Sequence, residues 1–253
     1  MRICRVCGHV GNPDNTLDYR AYDQIDNLAD GGRIGTLERP GREFHMARMA
    51  VDILGRGDLD VLIYGAGRSY DNHHVAALPQ VRGVAIADIM QLRDDAEFID
   101  ADRPAPRRFS VVVASEVVEH FLDPRPDFSH LLGFVETDGL LVCATNLYDG
   151  GLLSNQTYIF YRGHTSYYTP DSLARIADEN DAFLDIRTPH SATGYAGPRK
   201  RYLLLTKSAA VVEATARYFA TRPYAPSESP TANRDVGGPR PTATSTEGVS
   251  TGG

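Results

Sequence analysis

The stretch that decides the fold reads DVLIYGAGRSYDNHHVAALPQVRGVAIAD, residues 60–88. The apolar run Val61, Leu62, Ile63, Tyr64 breaks into Gly65, Ala66, Gly67, and Asp88 closes the next apolar run, Val84, Ala85, Ile86, Ala87. A strand, a glycine turn, a helix and a second strand ending in a carboxylate is how an α/β sheet builds a pocket for a nucleoside. The glycines let backbone approach a ligand, and the carboxylate can accept hydrogen bonds from two ribose hydroxyls.

The same alternation continues outward on both sides. Apolar runs predict strands over 60–64, 82–87, 109–114, 140–144, 183–187 and 202–206, with a brief one at 97–99. The run at 109–114 is apolar except for Ser110, as suits a strand covered on both faces. Helical spacing predicts helices over 41–55, 69–78, 128–134, 172–180 and 209–221, and a short one over 90–94. Asp138-Gly139 reads as a turn, and 149–169, rich in glycine and tyrosine, as a loop or lid. The stretch 188–199 is too short for a helical crossover, so the last two strands should run antiparallel. The fold class that follows is α/β: a Rossmann-like, doubly wound, mostly parallel sheet with an antiparallel last strand.

This divides the chain into an N-terminal extension (1–39), a main domain (40–208), a C-terminal helix (209–222) and a tail (223–253). Pro, Ser, Thr and Gly dominate the tail, which reads as disordered. The net charge of −7 argues against a nucleic-acid partner held through its phosphates. The basic cluster Arg199, Lys200, Arg201 reads as the flank of a strand. No apolar stretch approaches the roughly 20 residues of a membrane span, and 1–5 lacks the apolar core of a signal peptide. A cytoplasmic protein with its three cysteines reduced is the expectation.

The chain resembles class I S-adenosylmethionine-dependent methyltransferases, in the branch that includes ubiquinone-biosynthesis and sugar methyltransferases. The resemblance is carried by 61–69 (the glycine motif), 83–88, FSVVVASEVVEH at 109–120 with Asp123-Pro124 after it, 139–146, and 164–173 ending YYTPDSL. It covers about residues 40–207. Two positions depart from the family's pattern: Ile63 stands where an acid is usual, and Ser69 where the third glycine would be.

The resemblance implies an S-adenosylmethionine cofactor held by Gly65, Ala66 and Gly67, with Asp88 on the ribose and Ile89 beside it. Asp100 would approach the adenine amino group, or else belongs to a solvated acid-rich loop with Asp94, Asp95, Glu97 and Asp102; Ser115 and Glu116 would line the pocket at the end of the central strand. His120 is the candidate base, because its unperturbed pKa lies near working pH. The competing reading has it packing the start of a helix. Glu119 would orient it or face solvent, and His164 is a second candidate. Tyr158, Tyr161, Tyr167 and Tyr168 either wall an acceptor pocket or pack the lid. Cys4 and Cys7 form half of a zinc knuckle, which needs His9, His45 or another side chain to complete four ligands. Otherwise they are the remnant of a lost site.

Methyl transfer to a small-molecule or glycan acceptor, by in-line displacement, is the function these readings favour. A non-catalytic relative that kept the fold, fed by Ile63 and Ser69, is a second reading. A nicotinamide-dependent oxidoreductase is a third; Tyr70 stands where its fingerprint needs a third glycine. Acceptor identity and oligomeric state are not legible in the residues.

Overall fold

A computed structural model describes residues 1–21, 34–148, 150–189 and 200–222. The strands are β1 (Arg2–Ile3), β2 (Val10–Gly11), β3 (Leu59–Tyr64), β4 (Val81–Asp88) and β5 (Glu97–Asp100). They continue as β6 (Phe109–Ser115), β7 (Val135–Asn146), β8 (Ser166–Tyr167), β9 (Phe183–Arg187) and β10 (Lys200–Thr206). The helices are α1 (Arg42–Leu54), α2 (Asp71–Ala76), α3 (Pro124–Gly133), α4 (Pro170–Glu179) and α5 (Ala209–Ala220).

Seven strands form one sheet in the order β5-β4-β3-β6-β7-β10-β9. The first five run parallel, and β10 is antiparallel to both β7 and β9. Strand order therefore reverses between β3 and β6, which opens a crevice at their carboxyl ends. The period of two along each strand divides the core. Leu62, Tyr64, Val112, Ala114, Leu141 and Cys143 face Phe128 and Leu131 of α3 and Leu173 and Ile176 of α4. Val61, Ile63, Val111, Val113, Leu140 and Val142 face the opposite layer, built from Met46 and Ala50 of α1 and Val211 and Phe219 of α5. Burial on both faces explains the unbroken apolar runs, and it makes Cys143 a packing residue.

Helix ends follow local chemistry. The side chain of Asp71, at the start of α2, accepts from Gly41 N (2.6 Å) and Phe44 N (3.1 Å), so one helix caps the first turn of another. Thr169 and Ser172 form a capping box ahead of α4, with Pro170 at its first position.

The structure corrects several expectations. The helix expected over 69–78 contracts to Asp71–Ala76. No helix forms over 90–94. There Arg93 bonds Asn72 Oδ1 and the Asp95 carboxylate and lies over the Tyr70 ring, so side-chain contacts shape the segment. The turn expected at Asp138-Gly139 is an irregularity inside β7. Pairing with β6 steps from Phe109↔Val135 to Val111↔Leu140, and 136–139 bulge out between them.

The segment read as a loop or lid, 149–169, is described from residue 150 onward. Its residues 150–169 hold two short 3₁₀ turns and β8, with Tyr158, Tyr167 and Tyr168 buried. β8 completes a small antiparallel sheet, β1-β2-β8, with the N-terminal segment, so residues 1–21 pack onto the main domain. The tail expected over 223–253 lies outside the described residues, as do 22–33 of the N-terminal extension. Among the described residues no helix is long and apolar enough to cross a membrane.

Candidate active site

The crevice at the carboxyl ends of β3, β4 and β6 gathers most of the residues singled out above. The chain leaves β3 through Gly65 (φ +71°) and Gly67 (φ +53°), both in the left-handed region. A Cβ on Gly65 would stand 2.3 Å from Val117 Cγ2, so the β3 and β6 turns interlock there. A Cβ on Gly67 would meet nothing within 4 Å, which leaves the backbone face open.

Asp88 turns toward this loop. Its Oδ2 accepts from Gly67 N and its Oδ1 from Ile89 N, both at 2.8 Å. Met90 N is a third backbone donor to this carboxylate, whose two oxygens offer about four acceptor sites, so some capacity is left for a ligand. Burial pushes the Asp88 carboxyl upward, against the lowering effect of these backbone donors. Asp100 pairs in register with Asp88 one strand over, accepts from Asp102 N (3.0 Å) and stands beside Arg103. Ile63 and Ser69, which depart from the family pattern, are both buried. Ser69 Oγ bonds Glu43 Oε2 at 3.3 Å, so the hydroxyl ties the glycine loop to α1.

At the end of β6, Ser115 Oγ is buried and has no hydrogen-bond partner among the described residues. Glu116 follows at φ +56°, a conformation that costs a non-glycine residue about 1–2 kcal/mol. Such strain concentrates where a side chain must be aimed. Glu116 is ion-paired with Lys200, at the start of β10. Burial, and then the charge of Glu119, raise the Glu116 carboxyl above its usual range, while Lys200 pulls it back.

One turn further, Glu119, His120 and His164 converge, each offering a ligand-capable atom within 4.8 Å of the others. Glu119 is wholly buried. Its Oε1 accepts from the Tyr158 hydroxyl (2.5 Å), which is also bonded to Thr145 Oγ1 (3.0 Å). Its Oε2 has no hydrogen-bond partner among the described residues. His120 Nδ1 lies 2.9 Å from Gly163 O and 2.8 Å from the Tyr19 hydroxyl. His164 Nδ1 lies 2.7 Å from Tyr158 O. A carbonyl only accepts, so in each ring Nδ1 carries the proton and the lone pair of the neutral imidazole rests on Nε2. Burial, then the neighbouring His120, lower His164 to about 4, so it is neutral near pH 7.

Three residues of this site were not singled out in the sequence. Tyr19 comes from the N-terminal segment, and burial followed by Glu119 pushes its hydroxyl up to about 12. Lys200 flanks a strand as expected, but antiparallel pairing (Lys200↔Asn146) carries it to the carboxyl edge of the sheet. Glu43 has no motif around it; only its helical spacing in α1 hinted at burial. Cys4 and Cys7 contact each other in a tight turn, Cys4 exposed and Cys7 half-buried. Among the described residues no third ligand joins them, and His9 packs against the Tyr168 ring instead.

A crossing point in a sheet of this order, a glycine turn and a carboxylate closing the next strand are the features of a nucleoside-binding α/β class. The family described as "Methyltransferase domain" matches residues 51–182, just over half of the chain. The chain belongs to that family, as a class I S-adenosylmethionine-dependent methyltransferase. This removes the oxidoreductase reading. No curated protein matches the sequence.

Among solved structures, a chain from a Haloferax volcanii complex between a methyltransferase activator and the protein described as its methyltransferase is similar at 11% identity. The match covers 66% of this chain and 90% of that one, with a TM-score of 0.50. Burkholderia thailandensis 1,6-didemethyltoxoflavin-N1-methyltransferase, solved with 1,6-didemethyltoxoflavin and S-adenosylhomocysteine, is similar at 16% identity. There the match covers 65% and 77%, with a TM-score of 0.49. A Bacillus halodurans protein described as a methyltransferase is similar at 12% identity over 64% of this chain and 99% of that one, with a TM-score of 0.48.

Proposed function

We propose that this chain transfers a methyl group from S-adenosylmethionine to a proton-bearing heteroatom of a small-molecule acceptor. The nucleoside end of the cofactor would lie over Gly65, Ala66 and Gly67, its ribose hydroxyls on Asp88 beside Ile89, and its adenine toward Asp100. Three features fit that group: the open face at Gly67, the remaining acceptor capacity of Asp88 and the unpartnered Ser115 Oγ. When bound, the cofactor supplies the electrophile, a methyl on a positively charged sulfur. Glu116, strained and held by Lys200, would border the sulfur side of the pocket.

The observation that carries the acceptor half is the convergence of Glu119, His120 and His164 immediately beyond β6. A transferred methyl meets an acceptor that must lose a proton, and that requires a base in reach. His120 is the candidate, since its Nδ1–H is fixed on Gly163 O and its Nε2 lone pair is free to accept. His164 and Glu119 would shape its surroundings, with Tyr158 buried behind Glu119 and Tyr161 at the rim.

The test uses S-adenosylmethionine carrying a tritiated methyl, offered with a panel of phenols, sugar nucleotides and short glycans. Wild-type chain should label at least one acceptor. His120→Ala should lose most of that transfer while binding S-adenosylhomocysteine within about threefold of wild type. Cofactor binding without transfer to any acceptor class would favour the non-catalytic relative.

A further inference from the structure

We propose that Glu119, His120 and His164 together receive a primary amine, so that the methyl acceptor of this chain is an amine nitrogen, held as its ammonium ion on the acceptor side of the cofactor crevice. The three side chains offer atoms that all lie within 4.8 Å of one another. An ammonium group carries three N–H donors and no acceptor. Acceptors about 2.9 Å from one tetrahedral nitrogen stand roughly 4.7 Å apart, a spacing of the same size.

Donors and positive charge are what this cluster lacks. Glu119 is wholly buried; the Tyr158 hydroxyl donates to its Oε1, while Oε2 has no hydrogen-bond partner among the described residues. A buried carboxylate oxygen left bare is costly, and an N–H from a ligand relieves that cost. Each imidazole spends its Nδ1–H on a backbone carbonyl, Gly163 O for His120 and Tyr158 O for His164, which makes both Nε2 atoms acceptors. Tyr19 adds no donor to them, because its hydroxyl stands at Nδ1 of His120. Glu116 has its counter-ion in Lys200, whereas Glu119 is in no ion pair among the described residues. Burial keeps His164 neutral, so it does not repel a cation. The rings of Tyr19, Tyr158 and Tyr161 pack against these imidazoles, with centroids 5.4, 4.4 and 5.6 Å apart. Tyr161 is exposed, which puts an aromatic surface at the mouth for the carbon frame of the amine, and aromatic walls favour an organic cation.

The inference deepens the proposed function and rests on it. His120 keeps its role as base: its Nε2 takes one proton from the ammonium group, and Glu119 faces the imidazolium so formed. The freed nitrogen lone pair forms the N–CH₃ bond as the S–CH₃ bond breaks, and that bond's electron pair stays on the sulfur of S-adenosylhomocysteine. The product is a methylated ammonium ion, and the proton on His120 passes to water. A hydroxyl brings one donor to three acceptors and no charge to Glu119, so it matches the same space less well.

The experiment is calorimetric titration of the full chain, saturated with S-adenosylhomocysteine, with benzylamine, benzyl alcohol and benzyltrimethylammonium near neutral pH. The first probe carries charge and N–H donors, the second a single donor and no charge, the third charge without donors. Benzylamine should bind at least tenfold more tightly than either of the others. In Glu119→Gln, which keeps the shape and removes the charge, its advantage over benzyl alcohol should fall below threefold. Circular dichroism establishes that the variant is folded. If the wild-type chain binds benzylamine no more tightly than the other two probes, or not at all at millimolar concentration, the assignment is overturned whether or not the variant folds. A folded Glu119→Gln chain that keeps the full preference overturns it as well. The saturation step tests the methyltransferase reading separately, because Asp88 and the glycine turn take no part in the trio: a chain that binds S-adenosylhomocysteine but shows no preference for the amine keeps the cofactor pocket and loses only the amine acceptor.

Discussion

Replacing Asp88 by Asn is the sharpest test of the cofactor pocket. The side chain keeps its volume, but one oxygen becomes a donor that faces a backbone N–H, since Gly67 N and Ile89 N each need an acceptor. If the ribose sits on Asp88 as proposed, the variant loses one acceptor for it outright, and the charge on the other. Hydrogen bonds to a charged acceptor contribute about 1.5–3 kcal/mol each. The loss of one and weakening of the second amounts to about 2–4 kcal/mol, or roughly 30- to 1000-fold in affinity. Isothermal titration with S-adenosylhomocysteine reads this directly, with thermal unfolding run in parallel to confirm the fold. Asp100→Asn is the internal control: Asp100 lies in register with Asp88 but stands half exposed beside Arg103, so its loss should cost under tenfold. Should Asp88→Asn bind within threefold of wild type while folded, the ribose assignment is wrong and the nucleoside lies elsewhere in the crevice.

Two further outcomes follow from the same loops. Gly65→Ala places a Cβ 2.3 Å from Val117 Cγ2 at a positive φ and should cost about 3 kcal/mol in urea unfolding. Gly67→Ala meets nothing within 4 Å and should cost only about 1 kcal/mol of stability, yet weaken S-adenosylhomocysteine binding several-fold. Equal stability losses would refute the interlock. Buried Glu43, raised to about 7 by burial and then by its hydrogen bond with Asp71, is held protonated in the folded state. The folded chain thus binds a proton the unfolded chain has lost, so this contribution is full below about pH 4.5 and declines as pH rises through about 7. It amounts to about 3 kcal/mol, and Glu43→Gln should flatten that fall in denaturant titrations from pH 4.5 to 8; an unchanged pH profile would refute it.

Much of this fold is legible because the sheet is buried on both faces. The runs 61–64 and 109–114 have no polar face to disguise them, and the glycine turn and Asp88 sit where two such runs end. The end strands were legible through a length argument, since 188–199 leaves no room for a crossover helix. The 90–94 segment misled because a short polar stretch has no core to keep its helical period, and Arg93 finds better partners in Asn72, Asp95 and Tyr70. Within the site, Glu119 and His120 were visible from their place after the central strand. Their union with His164 was not, because a loop 44 positions away on the chain brings it. Tyr19 and Lys200 belong to the same group: each reaches the site through pairing across more than eighty positions, which no local pattern encodes.

The stitching of β2 to β8 has a consequence for how the molecule is made. Asn15 hydrogen-bonds the carbonyls of Tyr161 and His164, partners 146 and 149 positions downstream. A ribosome adding about 5–20 residues per second delivers them on the order of ten seconds later. Until then Tyr19 has no His120–Gly163 pair to close against, and the imidazole has no fixed tautomer. Nascent chains should therefore acquire the nucleoside crevice before the histidine cluster, and reactivity would be the last property of the molecule to mature.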